Sequence, residues 1–129
     1  MALAQHRLLK SSDAAFGDAL GITTAQLGVL FVLEKSPGAL LKQVSDALGI
    51  NKSATTALVD RMEAAGLVKR RPSTDDGRAV QLVSTAEGIA KAVAARPVLA
   101  SLNARLTAGF GERDIATIGR FLQSILERF

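Results

Sequence analysis

The sequence contains no cysteine, no tryptophan and no tyrosine. Without cysteine there can be no disulfide framework, no thiolate metal site and no thiol-based redox sensor. Aromatic side chains are limited to Phe16, Phe31, Phe110, Phe121 and Phe129. A core must therefore be built mostly from Leu, Val, Ile and Ala, which favours helices. Histidine occurs once, as His6, so neither a catalytic triad nor a histidine metal cluster can be assembled. The nucleophile elbow G-x-S-x-G, the phosphate-cradling P-loop and the dinucleotide glycine fingerprint are all missing. Asp75 and Asp76 are adjacent carboxylates, but beside Gly77 they read as turn formers rather than an acid–base pair. An enzyme is not expected, nor a metal or cofactor. The longest strongly apolar run, Val29 to Leu33, is far too short to span a bilayer. The opening MALAQHRLLKSSD lacks the apolar core of a signal peptide. These features predict a cytoplasmic chain with no membrane partner.

What is present is a chain of 129 residues, 48% apolar and 22% charged, with a formal net charge of +4. That length suits one domain, and that composition can bury a core. The modest basic excess suits a polyanionic partner, although solubility alone would also account for it. A first helix is expected from about Leu3 to Leu20, with Leu9, Phe16 and Leu20 loosely sharing a face, and Gly21 ends it. Thr23 followed three residues later by Gln26 forms a capping box, which starts a second helix reaching Lys35. Ser36-Pro37-Gly38 stops it.

The informative stretch runs from Leu41 to Arg78. A short helix over Leu41–Leu48 has no obvious N-cap. Gly49-Ile50-Asn51 turns the chain into a longer helix from about Lys52 to Ala65, with Asn51 as its cap and Gly66 as its stop. Its periodicity places Ala54, Thr55, Leu58, Met62 and Ala65 on one face. Lys52, Ser53, Thr56, Asp60 and Glu63 project from the other. Two helices joined by a tight glycine-containing turn form a helix-turn-helix. Strand candidates at 67–71 and 79–84, joined through Pro72 and Asp75-Asp76-Gly77, add a basic hairpin, or wing. The expected fold is mainly α with a small β-hairpin wing.

Thr85 caps a long helix predicted to reach Leu106 or Thr107, which Pro97 should bend or split. After Gly109-Phe110-Gly111, a last helix spans about Glu112 to Arg128. In it Ile115, Ile118, Leu122, Ile125 and Phe129 recur at steps of three and four, and Phe121 and Leu126 widen the stripe. That apolar surface is broader than one small domain usually needs, and a second copy of the chain would cover it.

The helix carrying Lys52, Ser53 and Thr56 presents groups of a size to fit between a helix and base edges in a major groove. Asn51 and the free N–H groups at the helix start suit a phosphate. Lys69, Arg70, Arg71 and Arg78 could contact phosphates or enter a minor groove. Either feature alone could be ordinary solvated surface; side by side they favour double-stranded DNA.

At this point the residues carry a resemblance. Ile22-Thr23-Thr24-Ala25-Gln26, Gly49-Ile50-Asn51-Lys52-Ser53, Leu58-Val59-Asp60-Arg61-Met62-Glu63, Gly66-Leu67-Val68, Asp76-Gly77-Arg78 and Thr85-Ala86-Glu87-Gly88 follow one another in the order and spacing of the MarR family of winged-helix regulators. The resemblance covers nearly all of residues 1–129. It implies a DNA-binding transcriptional regulator, most often a repressor, acting as a homodimer on a pseudo-palindromic operator. The winged helix-turn-helix would occupy residues 23–88. Residues 1–20 and 89–129 would form the dimerisation region, with Ile115, Ile118, Phe121, Leu122, Ile125 and Phe129 in the interface. Carried over by position, Lys52, Ser53, Thr55 and Thr56 would read the major groove, and Arg61 would lie near the DNA backbone. Arg78 would enter the minor groove with Asp76 orienting it. The family also implies a small aromatic or anionic ligand in a cleft between the two regions. His6 and Arg7 could face such a cleft, although a His beside an Arg reads first as surface. Ala57, Asp60 and Glu63 keep a second reading open: a winged-helix dimer for protein–protein or ligand binding that does not bind DNA.

Overall fold

Helix positions in this chain are decided by local caps. In the computed structural model, which describes residues 2–73 and 79–129, Thr23 is extended and its hydroxyl accepts from the Gln26 amide at 3.1 Å. The Gln26 carboxamide returns the bond to the Thr23 amide at 3.0 Å. This box starts α2 (Thr24–Lys35), after α1 (Ala2–Leu20). The third helix, α3 (Leu41–Leu48), has no side-chain cap at Leu40, as its sequence predicts. Gln43 supplies half of one instead, since its Oε1 accepts from the Leu40 amide at 2.7 Å. Asn51 caps α4 (Lys52–Ala64), its Oδ1 accepting from the Ala54 amide at 2.7 Å. Between α3 and α4, Gly49 takes the left-handed φ of 66° that closes the turn.

The hairpin is β1 (Val68–Pro72) and β2 (Val80–Ser84), antiparallel, with Val68 opposite Ser84 and Arg70 opposite Leu82. A third edge joins it that the sequence did not disclose. Gly38 donates to the Leu82 carbonyl at 3.1 Å and Leu82 donates to the Ala39 carbonyl at 2.9 Å, with Leu40 bridging Gln81. The chain then continues as α5 (Ala86–Thr107) and α6 (Glu112–Arg128). Pro97 lies inside α5 without splitting it. Among the described residues no single helix is long and apolar enough to cross a membrane.

Contacts divide the chain into two units, Met1–Val98 and Leu99–Phe129. The first has a core of Phe16, Leu30, Val44, Val59, Met62 and Leu82, all essentially inaccessible. Each such side chain stabilises the fold by about 1.5–3 kcal/mol relative to leaving it exposed. Leu9, expected to share the Phe16 face, is instead 50% exposed. The apolar face of α4 is also shifted from its expected phase. Val59 is fully buried, whereas Ala54 and Ala65 are exposed. In the second unit, α6 starts at Gly111, whose amide donates to Asp114 Oδ2 at 3.0 Å, and none of its residues is buried. Ile115, Ile118, Leu122 and Ile125 remain 36–49% exposed, Phe121 60% and Phe129 fully.

The exit from α4 is joined to the start of α5 by one residue. Thr85 donates its hydroxyl to the Gly66 carbonyl at 2.6 Å and its amide to the Leu67 carbonyl at 3.0 Å. Its hydroxyl oxygen also accepts from the Gly88 amide at 3.0 Å, capping α5. Gly88 is pressed against the same peptide, so that a Cβ there would lie 2.2 Å from the Leu67 carbonyl oxygen. Backbone cannot yield as a side-chain tip can. Gly88→Ala should therefore destabilise the protein by about 1–3 kcal/mol in chemical denaturation. Wild-type stability in that variant would show that helix and hairpin do not meet this closely.

Candidate nucleic-acid interface

The N-terminal end of α4 is an open polar surface. Asn51, Lys52 and Ser53 are exposed and Thr56 is half-exposed. Capping leaves the Asn51 amide nitrogen free to donate. The Lys52 and Ser53 backbone N–H groups precede the first intrahelical bond, which Thr55 donates to the Asn51 carbonyl. Thr56 gives its hydroxyl proton to the Lys52 carbonyl at 2.9 Å and keeps its lone pairs outward. Arg61 is exposed in the last turn, where a cation suits the helix dipole.

Thr55 does not belong to this surface, which corrects the expectation that it reads bases. Its side chain is fully buried. The hydroxyl donates to the Asn51 carbonyl at 2.9 Å and accepts from Ser45 Oγ at 2.8 Å. Ser45, on α3, is itself buried. The two hydroxyls satisfy each other inside the helix-turn-helix, fixing α4 against α3, and no polar atom there is left for DNA. Nothing local in the sequence marks Ser45, because a serine beside one buried neighbour, Val44, and one exposed neighbour, Asp46, can face either way.

On the hairpin, alternation sorts the three cations of β1. Val68 is buried, Lys69 exposed, Arg70 half-buried and Arg71 exposed. Lys69 and Arg71 thus point away from the core, and Arg71 Nε donates to Gln81 Oε1 at 3.1 Å. Arg70 faces α4 instead. Its Nη2 donates to Asp60 Oδ1 at 2.5 Å, its Nη1 to Glu63 Oε1 at 2.8 Å, and its amide to Glu63 Oε2 at 3.2 Å. Arg70, expected from sequence to contact phosphate, is thus turned toward α4 with its cation shared by two carboxylates. Hydrogen bonding to Asp60, then to Glu63, raises its pKa beyond the ordinary arginine value despite some desolvation. A raised cation pKa means the pairing is complete below the unfolded value and is lost only as pH rises through the higher folded one. Arg70 therefore stays charged at any pH used for DNA binding. Asp76 and Arg78 lie outside the described residues.

A second feature lies in the first unit. A cleft of about 320 Å³ is walled by Leu30, Leu33, Glu34 and Pro37 with Val83, Ile89, Ala92 and Val93. Glu34 is its one ionisable wall residue, and it is paired with Arg96 at 2.5 Å. The Arg96 guanidinium also sits 5.3 Å from the centre of the Phe31 ring, a cation–π distance. His6 and Arg7 are exposed on α1 and are not among its walls.

Comparison with known proteins agrees with this geometry. Residues 20–79 match the model of the MarR family. The HTH-type transcriptional repressor MdtR of Bacillus subtilis is 35% identical over 68 residues, 53% of this chain and 44% of its own length. The chain thus spans under half of that relative. A mutant of E. coli MarR complexed with operator DNA superposes with a TM-score of 0.83 at 25% identity, covering 97% of this chain and 92% of that one. The transcriptional repressor CouR, bound to a 23-mer DNA duplex, gives 0.87 at 28% identity, covering 97% and 88%. The mainly helical architecture with a two-stranded wing is that of these winged-helix proteins.

The position of Thr55 can be tested directly. Thr55→Val should cost about 1–3 kcal/mol, because it strands the buried Ser45 hydroxyl. Ser45→Ala added to it should recover part of that loss, as expected for coupled neighbours. If Thr55→Val instead keeps full stability and weakens DNA binding alone, the threonine reaches the DNA.

Proposed function

We propose that this chain, whose residues 20–79 match the model of the MarR family, is a member of that family and a sequence-specific, DNA-binding transcriptional repressor of the cytoplasm. The observation that carries the reading is the open N-terminal end of α4 together with the outward cations of β1, a strand held to the same helix at Asp60 and Glu63. Asn51, Lys52, Ser53 and Thr56 would enter the major groove, while Arg61, Lys69 and Arg71 neutralise phosphates. From sequence position alone, Arg78 would add a minor-groove contact with Asp76 orienting it. MdtR and CouR are transcriptional repressors, CouR is bound to a DNA duplex and the E. coli MarR mutant to operator DNA, which supports this reading.

The active form would be a homodimer on an inverted repeat, built from residues 1–20 and 89–129. The apolar stripe of α6 supports this, since Ile115, Ile118, Phe121, Leu122, Ile125 and Phe129 are each at least 36% exposed. The apolar cleft beside Glu34 and Arg96 is where a small ligand would act. Its walls suit an aromatic or aliphatic body better than a free anion.

Two experiments check this reading. In gel shifts with the region upstream of its own gene, affinity should fall steeply as salt rises, because bound phosphates release counterions. Lys52→Ala should weaken binding by about 1–3 kcal/mol if the side chain contacts a base. Binding that ignores both salt and Lys52 rejects the interface. Separately, Ile118→Asp with Leu122→Asp should convert a dimer to a monomer in sedimentation and abolish operator binding at concentrations where wild type saturates. A variant that stays dimeric moves the interface elsewhere.

A further inference from the structure

Asp60 and Glu63 are three residues apart on α4 and therefore neighbours on one face. Two carboxylates on a helix that must lie against phosphates would repel them. Arg70 answers both at once. It makes three bonds across the α4–β1 gap, two from its guanidinium and one from its own amide. Strand alternation explains why this arginine rather than Lys69 or Arg71 is used, since only Arg70 shares the Val68 side of β1. The planar fork reaches two separate acceptors, which the single ammonium of a lysine does not match.

We propose that Arg70 is a positioning residue of the DNA-reading surface: it holds β1 in register with α4 and masks the Asp60 and Glu63 charges, so that α4 and the outward cations of β1 meet DNA as one body. The inference rests on the DNA-binding reading above. The side chains involved are 28% (Arg70), 61% (Asp60) and 42% (Glu63) exposed, and exposed ion pairs add little to fold stability. Its effect should therefore appear in binding and barely in melting.

The test is a double-mutant cycle read by gel shift on the duplex upstream of the gene, at several salt concentrations, with circular dichroism melts to show that each variant is folded. Arg70→Gln should weaken binding about tenfold in the wild-type background, as coupling within one network permits. In the Asp60→Asn, Glu63→Gln background the same change should cost less than about threefold. Arg70→Lys should fall between wild type and Arg70→Gln. Equal losses in both backgrounds, with the salt slope reduced by about 0.9, would make Arg70 a phosphate contact and overturn the proposal. Undiminished binding by Arg70→Gln would overturn it too. A DNA-free arm separates this idea from the functional reading. Side-chain NMR should show hindered rotation of the Arg70 guanidinium, released in the Asp60→Asn, Glu63→Gln protein. Free rotation in wild type rejects the clamp. If wild type binds no duplex at any salt, the DNA reading falls, while the spectra still decide whether the clamp exists.

Discussion

The hydroxyl and amide of Thr85 tie together the four elements on which the reading surface depends. Gly66 and Leu67 leave α4 with carbonyls that no helix bond can satisfy. Thr85 supplies donors to both, then turns its oxygen to cap α5 through Gly88. One residue at the end of β2 thus fixes the exit of α4, the base of the hairpin and the start of α5. Gly88 is required by the same constraint, since the peptide at Leu67 occupies the space a side chain would need. The hairpin then grows outward from an anchored base. Leu82 is buried from β2, and the backbone of Gly38 and Ala39 pairs on its other side.

From that base the chemistry of the surface follows by phase. On β1 a period of two sends Lys69 and Arg71 outward and Arg70 inward. On α4 the end nearest Asn51 is open and the middle, through Thr55, Leu58 and Val59, is packed. The formal charge of +4 is thus a poor guide to how basic the surface is. Among the described residues its cations without an ion pair are Lys52, Arg61, Lys69 and Arg71, while Arg70 is spent on Asp60 and Glu63. A surface of that strength on one chain should bind weakly. In the homodimer proposed above, specificity would come from bringing two copies to one site, with the exposed apolar face of α6 joining them.

Caps and turns are legible in the sequence, whereas the edges of helix faces and the long-range partners are not. Thr23 with Gln26, Asn51, Gly66 and the cap that Thr85 gives Gly88 act within a few residues of themselves, so those roles are written in short spacing, whereas the bonds from Thr85 back to Gly66 and Leu67 leave no local mark. The amphipathic stripe of α6 is likewise a property of one helix. Thr55 lies on the packed face that the periodicity of α4 marks with Leu58 and Met62, but the partner of its hydroxyl, Ser45, is ten residues away on another helix. Arg70 needed the phase of β1 relative to the core, which Val68 could have disclosed: a buried Val two residues earlier puts Arg70 on the same side. The phase of α4 differs from its periodicity at Ala54 and Ala65 because an alanine satisfies either face, and at Val59 because the edge of the apolar face is not sharp. The sheet edge at residues 38–40 is set by pairing with β2, more than forty residues on, and no local pattern marks it.

The central claim is that DNA meets the N-terminal end of α4 together with the outward face of β1, and that buried Thr55 and clamped Arg70 support this surface from behind. An NMR titration of the isotope-labelled protein with the duplex upstream of its gene tests it most directly. Asn51, Lys52, Ser53 and Thr56 should show the largest amide shifts, with side-chain changes at Lys69 and Arg71, while the Thr55 methyl and the Arg70 guanidinium move little. Shifts centred on Thr55 and Arg70, or confined to other elements with α4 silent, would contradict it.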